Sequence, residues 1–430
     1  MKDFVFCFAQ THLNFRLAEL NALAILEAIE IQYNPSDLLL ASPFLLVKLP
    51  SIADAKKLLN RSILLKEVIE LWAEADTFDN LLVKVRELPI HYHKPYLKSR
   101  FKFNVSVFGS TLTIPQKVEQ IERFSFLPYE GDIDMKNPEV VFTVYEDFYD
   151  LPNQGIPSPE HPFRLFFGPF VAESNRGLIQ KYDLKKRGYL GTTSMDAELS
   201  LIMSNVALVR PGSFVLDPFV GTGSFLVTSS HFGAYTLGAD IDGRQIRGKA
   251  HHPWRTTEFW DAIICDPPYG VRAGAKKIAI NSKTPPKTSI LNRDGGYKLP
   301  QTIPYELDEV LNDLISFAAI HLVPGGRLVY WLPTITEEYS PRDVPRHRRL
   351  RLLDNCEQNF NKWARRLIVM EKLRVDESDL NVSELLVEVE RGLHKQMTLD
   401  TKDVKIDEGG LVSLNESPAH ANFRKGYFNE

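Results

Sequence analysis

One loop, at residues 217–224, constrains the fold of this chain more than any other stretch. It reads Asp-Pro-Phe-Val-Gly-Thr-Gly-Ser, follows a short apolar run and leads into a predicted helix that ends at Gly233. A further apolar run, 235–239, then closes on Asp240, 23 residues after Asp217. Strand, glycine turn, helix and acid-ended strand are the plan of a nucleoside-binding βαβ unit, in which the glycines let the backbone approach the ligand and the acid holds ribose hydroxyls.

A second loop, at residues 266–270, follows the apolar run 262–265 and reads Asp-Pro-Pro-Tyr-Gly. The carboxylate of Asp266 and the carbonyl of Pro267 can both accept hydrogen bonds from an NH2 group, and the ring of Tyr269 can stack on the plane that carries it. The loop contains no evident nucleophile. It therefore predicts a site for a planar amine, although alone it also fits a proline-rich exit from a strand.

The elements around these two loops alternate between helix and strand. A capped helix start at 191–198 leads into a helix that runs to about residue 208. The later elements are predicted as a helix at 303–322, a strand at 327–331, a helix at 352–366, and strands at 367–372 and 384–389. Such alternation predicts an α/β fold with a doubly wound, mostly parallel sheet.

The N-terminal half has a different, α+β pattern. It predicts strands at 3–9, 44–49, 101–107 and 140–145, and helices at 16–29, 51–60 and 115–121. A proline-rich stretch at 151–162 separates the two halves. We therefore expect an α+β region at 1–165, a linker at 166–190, a catalytic α/β domain at 191–390 and a polar tail at 391–430.

A basic segment at 91–102 interrupts the N-terminal half. It contains four lysine or arginine residues and several aromatic rings but no acid, and its cations are Lys94, Lys98, Arg100 and Lys102. Interleaved cations and rings suit a surface that follows an RNA backbone and stacks bases. A solvated loop beside a strand is the alternative. Because the formal net charge of the chain is -4, a nucleic-acid site must be a local patch.

Composition limits the other classes. The three cysteines, Cys7, Cys265 and Cys356, are far apart and form no CxxC pair, which argues against a disulfide framework and against a zinc site. The longest apolar runs are too short to span a membrane. We expect a soluble, cytoplasmic protein.

Taken together and in order, the motifs resemble those of the amino methyltransferases that use S-adenosylmethionine. More specifically, the chain resembles the eukaryotic and archaeal tRNA guanine-10 N2-methyltransferase family, in which a region with a THUMP RNA-binding domain precedes a Rossmann-like class I methyltransferase domain. The residues that carry this resemblance are 124–134, 193–200, the Gly-Thr-Gly-Ser loop, 238–245, and 266–270 followed by Val271 and Arg272.

The resemblance implies roles for individual residues. Cofactor-binding roles fall on Asp217, Phe219, Gly221, Thr222, Gly223, Asp240 and Asp242. The guanine N2 amine would be gripped by Asp266 and the Pro267 carbonyl, next to Pro268, while Tyr269 stacks on the base. The pattern of basic residues, rather than the family, predicts RNA contacts at Lys94, Lys98, Arg100, Lys102 and Arg272. A turn acid before Gly243 is the alternative for Asp242. No metal is needed. The family also implies a partner, a small zinc-binding activator protein shared with other methyltransferases.

One departure from the family pattern lies between Asp240 and Asp266. Only 25 residues separate the two acids, too few for the helix, third strand and helix that a methyltransferase sheet places there. The third-strand region near 243–260 is therefore expected to be missing, through a wrongly spliced gene model or a shortened sheet edge. Two other hypotheses remain. One is an N-methyltransferase acting on DNA adenine or protein glutamine, since such enzymes also use a (D/N)PPY loop, and the other is a tRNA-binding protein that has lost part of its cofactor pocket.

Overall fold

The computed structural model describes residues 1–39, 42–148, 161–188, 191, 194–240, 258–269, 276–278, 302–374, 387–390, 395–398, 404–407 and 409–414. The chain divides into two compact units, Met1–Lys181 and Tyr182–Glu430. Among the described residues, no helix is long and apolar enough to cross a membrane. Cys7, Cys265 and Cys356 are all buried and carry no disulfide.

The first unit is built on a seven-stranded sheet. Its strands are β1 (Lys2–Phe8), β2 (Phe44–Leu49), β3 (Leu65–Glu70), β4 (Ala73–Ala75), β5 (Phe101–Phe108), β6 (Val140–Asp147) and β7 (Arg164–Glu173). Its helices are α1 (Arg16–Leu26), α2 (Ile52–Arg61), α3 (Phe78–Arg86), α4 (Ile90–His93), α5 (Ile114–Glu122) and α6 (Gly177–Lys181). These bounds confirm the strands and helices expected in this half to within a few residues.

Strand β7 unites this sheet, whose order is β2-β1-β3-β7-β6-β5, with β4 also pairing β7. The expected linker at 166–190 is therefore wrong at its start, because residues up to Glu173 belong to β7. The apolar residues of β7 are the reason, since Leu165, Phe166 and Phe167 are fully buried. On one side of the sheet Leu165 and Phe167 join a core of stacked rings, where the ring centroids of Phe167 and Phe124 lie 5.0 Å apart.

The second unit is built on a nine-stranded sheet. Its helices are α7 (Ala197–Val206), α8 (Ser224–His231) and α9 (Leu307–His321). Its described strands are β8 (Phe214–Asp217), β9 (Tyr235–Gly238), β10 (Trp260–Cys265), β13 (Leu322–Ile335), β14 (Arg346–His347), β15 (Leu350–Phe360), β16 (Trp363–Lys372), β19 (Val404–Ile406) and β20 (Leu411–Leu414). Two short two-stranded pairs lie outside this sheet: β11 (Lys276–Ile278) with β12 (Thr302–Pro304), and β17 (Val387–Glu390) with β18 (Lys395–Thr398).

The large sheet has the order β19-β20-β14-β15-β16-β13-β10-β8-β9. Neighbouring strands from β13 to β9 run parallel, whereas the neighbours from β13 to β19 pair antiparallel. Four strands are therefore parallel, and the expectation of a mostly parallel sheet is wrong. β9 is the outermost strand on its side within the described part of the chain. Of the region near 243–260, where a third strand was expected to be missing, residues 243–257 lie outside the described residues, and Trp260 already belongs to β10.

The antiparallel part of the sheet comes from a hairpin, not from the expected helix at 352–366. β15 and β16 pair over their whole length, from Leu350 with Lys372 to Phe360 with Trp363. Asn361 turns the hairpin with φ 73°, a left-handed conformation that asparagine tolerates well. The expected tail at 391–430 is likewise wrong in part, because β20 adds to β14.

Candidate active site

The candidate site lies at the carboxyl ends of three neighbouring parallel strands. β8 ends at Asp217, which pairs with Gly238 of β9, and Asp240 follows two residues later. On its other side β8 pairs with β10, whose last residue directly precedes Asp266. Because the carboxyl ends of parallel strands meet at one edge of a sheet, Asp217, Asp240 and Asp266 share that edge. This is the position at which open α/β sheets bind ligands.

The glycine loop after β8 adopts a conformation that depends on its glycines. Gly221 and Gly223 have positive φ angles of 45° and 79°, a region that residues with a Cβ rarely adopt. Gly223 precedes the first turn of α8, and its amide donates to the Val220 carbonyl over 2.7 Å. The loop thus presents bare backbone and the start of α8 at the sheet edge, as a nucleoside site requires.

Two acidic side chains, those of Asp217 and Asp240, accept hydrogen bonds from the backbone of this loop. The Phe219 amide donates to Asp217 Oδ1 over 3.0 Å, and the Gly221 amide donates to Asp240 Oδ2 over 2.9 Å. Phe219 itself packs against the core of the sheet. The two acids that end β8 and β9 therefore fix the backbone of the loop between them.

A third contact to the loop comes from the segment before α7. Ser194 and Thr222 share a hydrogen bond of 2.7 Å between their hydroxyl oxygens. The helix itself begins later than expected, at Ala197, because Asp196 caps it by accepting from the Leu199 amide over 2.9 Å. The motif at 193–200 thus contributes both a helix cap and a side chain on the glycine loop. The second of these was not expected from the sequence.

The Asp-Pro-Pro-Tyr loop is described up to Tyr269. The Asp266 side chain is 27% exposed, so it is reachable from solvent, whereas Pro267 is buried and Pro268 half-buried. The Tyr269 hydroxyl donates a hydrogen bond to Asp266 Oδ1. On the other side, a guanidinium nitrogen of Arg365 lies 4.0 Å from Asp266 Oδ2. The carboxylate that would accept the amine is therefore contacted on both oxygens.

Burial dominates the electrostatics of this edge. It raises the pKa of Asp217 well above its usual range, an effect that the Phe219 amide opposes and that the neighbouring charges of Asp266 and Asp240 increase. Burial also raises the pKa of Asp266, while its hydrogen bond from Tyr269 and the Arg365 charge lower it. Three acids that share one edge favour a ligand that carries positive charge there.

Arg365 is the residue of this site that sequence patterns missed. It lies in β16, within the stretch predicted as a helix. A helix would have placed Arg365 by a 3.6-residue period, whereas the strand places it beside Pro333 of β13 and Gln358 of β15. No local motif marks it, because its contact with Asp266 depends on the pairing of distant strands.

The basic segment of the first unit is only partly open to solvent. Lys94 and Lys98 are exposed, Arg100 pairs with Asp134 over 2.9 Å, and Lys102 is half-buried in β5. The rings of Tyr92 and Tyr96 pack against Trp72, with centroids 5.5 and 5.7 Å away. Because these two rings pack against the core, they do not form the exposed stacking surface that was expected. Asp242 and Arg272 lie outside the described residues.

The fold and the two loops define a class of protein. Four parallel strands in the order β9-β8-β10-β13, followed by antiparallel β16, carry the glycine loop after β8 and the Asp-Pro-Pro-Tyr loop after β10. This is the arrangement of a Rossmann-like class I methyltransferase domain. It confirms the expected fold class, apart from the proportion of parallel strands.

Comparisons with known proteins identify the family. The model of the Tmrp11 THUMP N-terminal domain matches residues 2–176. A tRNA (guanine(10)-N(2))-methyltransferase of Schizosaccharomyces pombe is 35% identical, with 100% of this chain and 96% of the relative covered. One of Saccharomyces cerevisiae is 39% identical, with 86% and 93% covered. The chain belongs to the tRNA (guanine(10)-N(2))-methyltransferase family.

Solved structures also match. TrmN from Thermus thermophilus is 17% identical, with 86% of this chain and 100% of that chain covered and a TM-score of 0.41. The alignment with the Schizosaccharomyces pombe relative extends over 489 positions, more than the 430 residues of this chain. That relative therefore has residues for which this chain has no counterpart.

Proposed function

We propose that this chain transfers a methyl group from S-adenosylmethionine to the exocyclic N2 amine of guanine 10 in tRNA. The observation that carries the proposal is the position of Asp266 at the same sheet edge as the glycine loop, one strand away from Asp217. The carboxylate that would accept the amine and the glycine loop that would bind the methyl donor then lie at the same edge of the sheet. The family relationship supports the choice of guanine and tRNA.

The residues of the edge suit the cofactor. S-adenosylmethionine carries a sulfonium and an ammonium charge, and the edge offers three carboxyl groups, of Asp217, Asp240 and Asp266, that can pair with positive charge. We propose that the donor is held by Asp217, Phe219, Gly221, Thr222, Gly223, Asp240 and Asp242. The positive φ angles at Gly221 and Gly223 leave room for close approach, which side chains at those positions would restrict.

The chemistry requires a held amine. The lone pair of the guanine N2 is delocalised into the ring, so the free amine is a poor nucleophile. Asp266 and the Pro267 carbonyl each accept a hydrogen bond from one N–H group of the amine. These bonds favour the pyramidal geometry in which the lone pair points at the methyl group. Asp266 would hold the amine while its nitrogen takes the methyl group, and the Asp266 carboxylate would accept the proton that the nitrogen then loses. Bound S-adenosylmethionine would supply a methyl group on a positively charged sulfur, which leaves as a neutral thioether.

Tyr269 has two roles in the proposed reaction. Its hydroxyl is bonded to Asp266 in the structure, which orients the carboxylate. We propose that the ring stacks on the guanine once the base enters, with Pro268 completing the loop. A paired base must leave its stack to reach the site, which costs a few kcal/mol that RNA contacts elsewhere must offset.

We propose that the first unit supplies those contacts. Lys94 and Lys98 are exposed, and among the described residues no acid lies within ion-pairing distance of either. We add Arg100 and Lys102 of the same unit to this set. Arg272, which follows the Asp-Pro-Pro-Tyr loop in the sequence of the second unit, is a further candidate. Phosphate contacts by such cations give affinity without sequence specificity. The protein would act in the cytoplasm together with a small zinc-binding activator protein.

A second candidate function follows from the short segment after Asp240. Relatives have residues that this chain lacks, and a lost cofactor wall would leave a tRNA-binding protein without activity. Calorimetry separates the two functions. Binding of S-adenosylmethionine supports the enzyme, whereas tRNA binding without cofactor binding supports the second candidate.

The experiment that tests the proposal combines the chain, its activator, labelled S-adenosylmethionine and tRNA. Label is expected on a guanine of the tRNA for the natural chain and absent for Asp266→Asn, which retains shape but loses the charged acceptor. DNA and a glutamine-containing peptide serve as alternative substrates. Label on either of these, and none on tRNA, would reject the proposal.

A further inference from the structure

We propose that Arg365 is a positioning residue for methyl transfer, which keeps Asp266 charged and aimed as the acceptor of the substrate amine. The inference rests on the proposed function of Asp266. Its starting point is the distance of 4.0 Å between an Arg365 guanidinium nitrogen and Asp266 Oδ2, across from the Tyr269 hydroxyl on Oδ1. Arg365 therefore acts on the substrate amine only through Asp266, and it does not contact the amine itself.

The guanidinium of Arg365 is held by three other elements. It lies 4.1 Å from the ring centroid of Trp331 in β13, and Nε donates to Gln358 Oε1 in β15 over 2.7 Å. A terminal nitrogen lies 3.7 Å from the sulfur of Met195, in the segment before α7. Stacking on an aromatic face and a hydrogen bond from Nε fix both the plane and the direction of the group. Arg365 is therefore preorganised toward Asp266.

The distance itself suits a charge that supports an acceptor. At 4.0 Å the pair is longer than a hydrogen bond, so Asp266 Oδ2 keeps lone pairs for an incoming amine. The charge still acts strongly, because Arg365 is only 15% exposed and solvent screens it little. A shorter, bidentate pair would compete with the substrate for the same oxygen.

The surroundings of Asp266 make such a charge necessary. Asp217 at the end of β8, Cys265 at the end of β10 and Tyr269 of the loop are the titratable side chains around it, and burial raises the pKa of each. Among the described residues, Arg365 is the basic side chain that comes within 4.0 Å of Asp266. Burial raises the pKa of Asp266, and the Tyr269 hydrogen bond and Arg365 lower it. A protonated Asp266 would donate where it must accept.

The test measures methyl transfer to tRNA as a function of pH for three variants of the full chain with its activator. Arg365→Gln removes the charge, Arg365→Lys keeps it, and Arg351→Gln is the matched control on the same hairpin, where Arg351 pairs with Glu371 over 2.6 Å. For Arg365→Gln, kcat is expected to fall about tenfold near neutral pH, and its acid limb to move about one unit higher. Arg365→Lys should restore the position of the limb. KM for S-adenosylmethionine should stay within about twofold.

Two results would overturn the inference. One is a Gln variant whose kcat falls equally at every pH, which would indicate lost packing alone. The other is an unchanged profile. A double-mutant cycle gives a readout that does not depend on activity: Arg365→Gln should lower Tm at least about 2 °C more in the natural chain than in Asp266→Asn. Equal effects in both backgrounds would also refute it. A natural chain that fails to methylate tRNA would reject the proposed function, while the cycle would still decide whether Arg365 acts on Asp266.

Discussion

Asp240 and Gly221 are joined by a hydrogen bond of 2.9 Å between the Asp240 carboxylate and the Gly221 amide. The acid at the end of one strand thereby fixes the loop that follows its neighbour. A residue expected only to hold ribose hydroxyls also fixes the loop that we propose holds the rest of the cofactor.

This relationship predicts different results for two substitutions of Asp240. Asp240→Ala removes the acceptor for the Gly221 amide, so the affinity for S-adenosylmethionine should fall about tenfold to a hundredfold. Asp240→Asn keeps a carbonyl oxygen for that amide and should lose only part of the affinity. Calorimetric titration compares the two. Equal losses would mean that the bond to Gly221 contributes nothing to binding.

Asp217 should strengthen ligand binding but lower the free energy of unfolding of the ligand-free protein at neutral and higher pH. Burial raises its pKa, so the folded state favours the protonated form, and the free energy of unfolding falls as pH rises from the usual aspartate pKa through the raised one. Asp217→Asn still offers an oxygen to the Phe219 amide and lacks this fall. It should melt about 2–4 °C higher than the natural chain near pH 8.

The same substitution should weaken cofactor binding, since it removes a carboxyl group that a bound cationic ligand would keep ionised. Asp313→Asn, on the exposed side of α9, is the control and should leave the pH dependence of Tm unchanged. A Tm for Asp217→Asn that is lower than that of the natural chain at every pH would contradict this account.

Gly238 should be intolerant of any side chain. A Cβ there would lie 2.8 Å from Val220 Cβ and 2.9 Å from Leu226 Cδ1, both next to the glycine loop. Gly238→Ala should therefore destabilise the fold by about 1–3 kcal/mol and weaken cofactor binding. Gly188→Ala is the control, because nothing lies within 4 Å of its Cβ position. Denaturant unfolding measures both. Similar stabilities for the two variants would show that the loop moves freely.

Lys94 and Lys98 should contribute to tRNA affinity through phosphate contacts. Replacing either with Glu is expected to weaken binding to all tRNAs alike and to reduce the salt dependence of log K by about one per lost contact. Lys56→Glu, on the exposed side of α2, is the control in the same unit. Binding measured at several salt concentrations decides. No difference between Lys98→Glu and Lys56→Glu would place the RNA surface elsewhere.

Local patterns predicted the parts of this fold that depend on neighbouring residues. The strand, glycine loop, helix and acid from Phe214 to Asp240 were predicted correctly, because turn glycines and caps act within a few residues. Helix α9 was also predicted, although it begins at Leu307, where Glu306 and Glu309 form a capping box.

Patterns failed where distant pairing decides. Residues 352–366 fit a helix by apolar content, yet they form a hairpin because β16 pairs with β13, which is separated from it in sequence. The strand period buries Leu350 and Leu352 and exposes Arg351 between them. With that stretch predicted as a helix, Arg365 could not be placed beside Asp266, so the contact between these two side chains was not predicted from the sequence.

The most direct test of the central claim uses two tRNA transcripts that differ only at position 10, one with guanine and one with inosine, which lacks the N2 amine. After incubation of the full chain and the proposed zinc-binding activator protein with labelled S-adenosylmethionine, nucleoside analysis should show labelled N2-methylguanosine from the first transcript and no label from the second, although both bind. Equal labelling of the two transcripts, or label on any other nucleoside, would contradict the assignment.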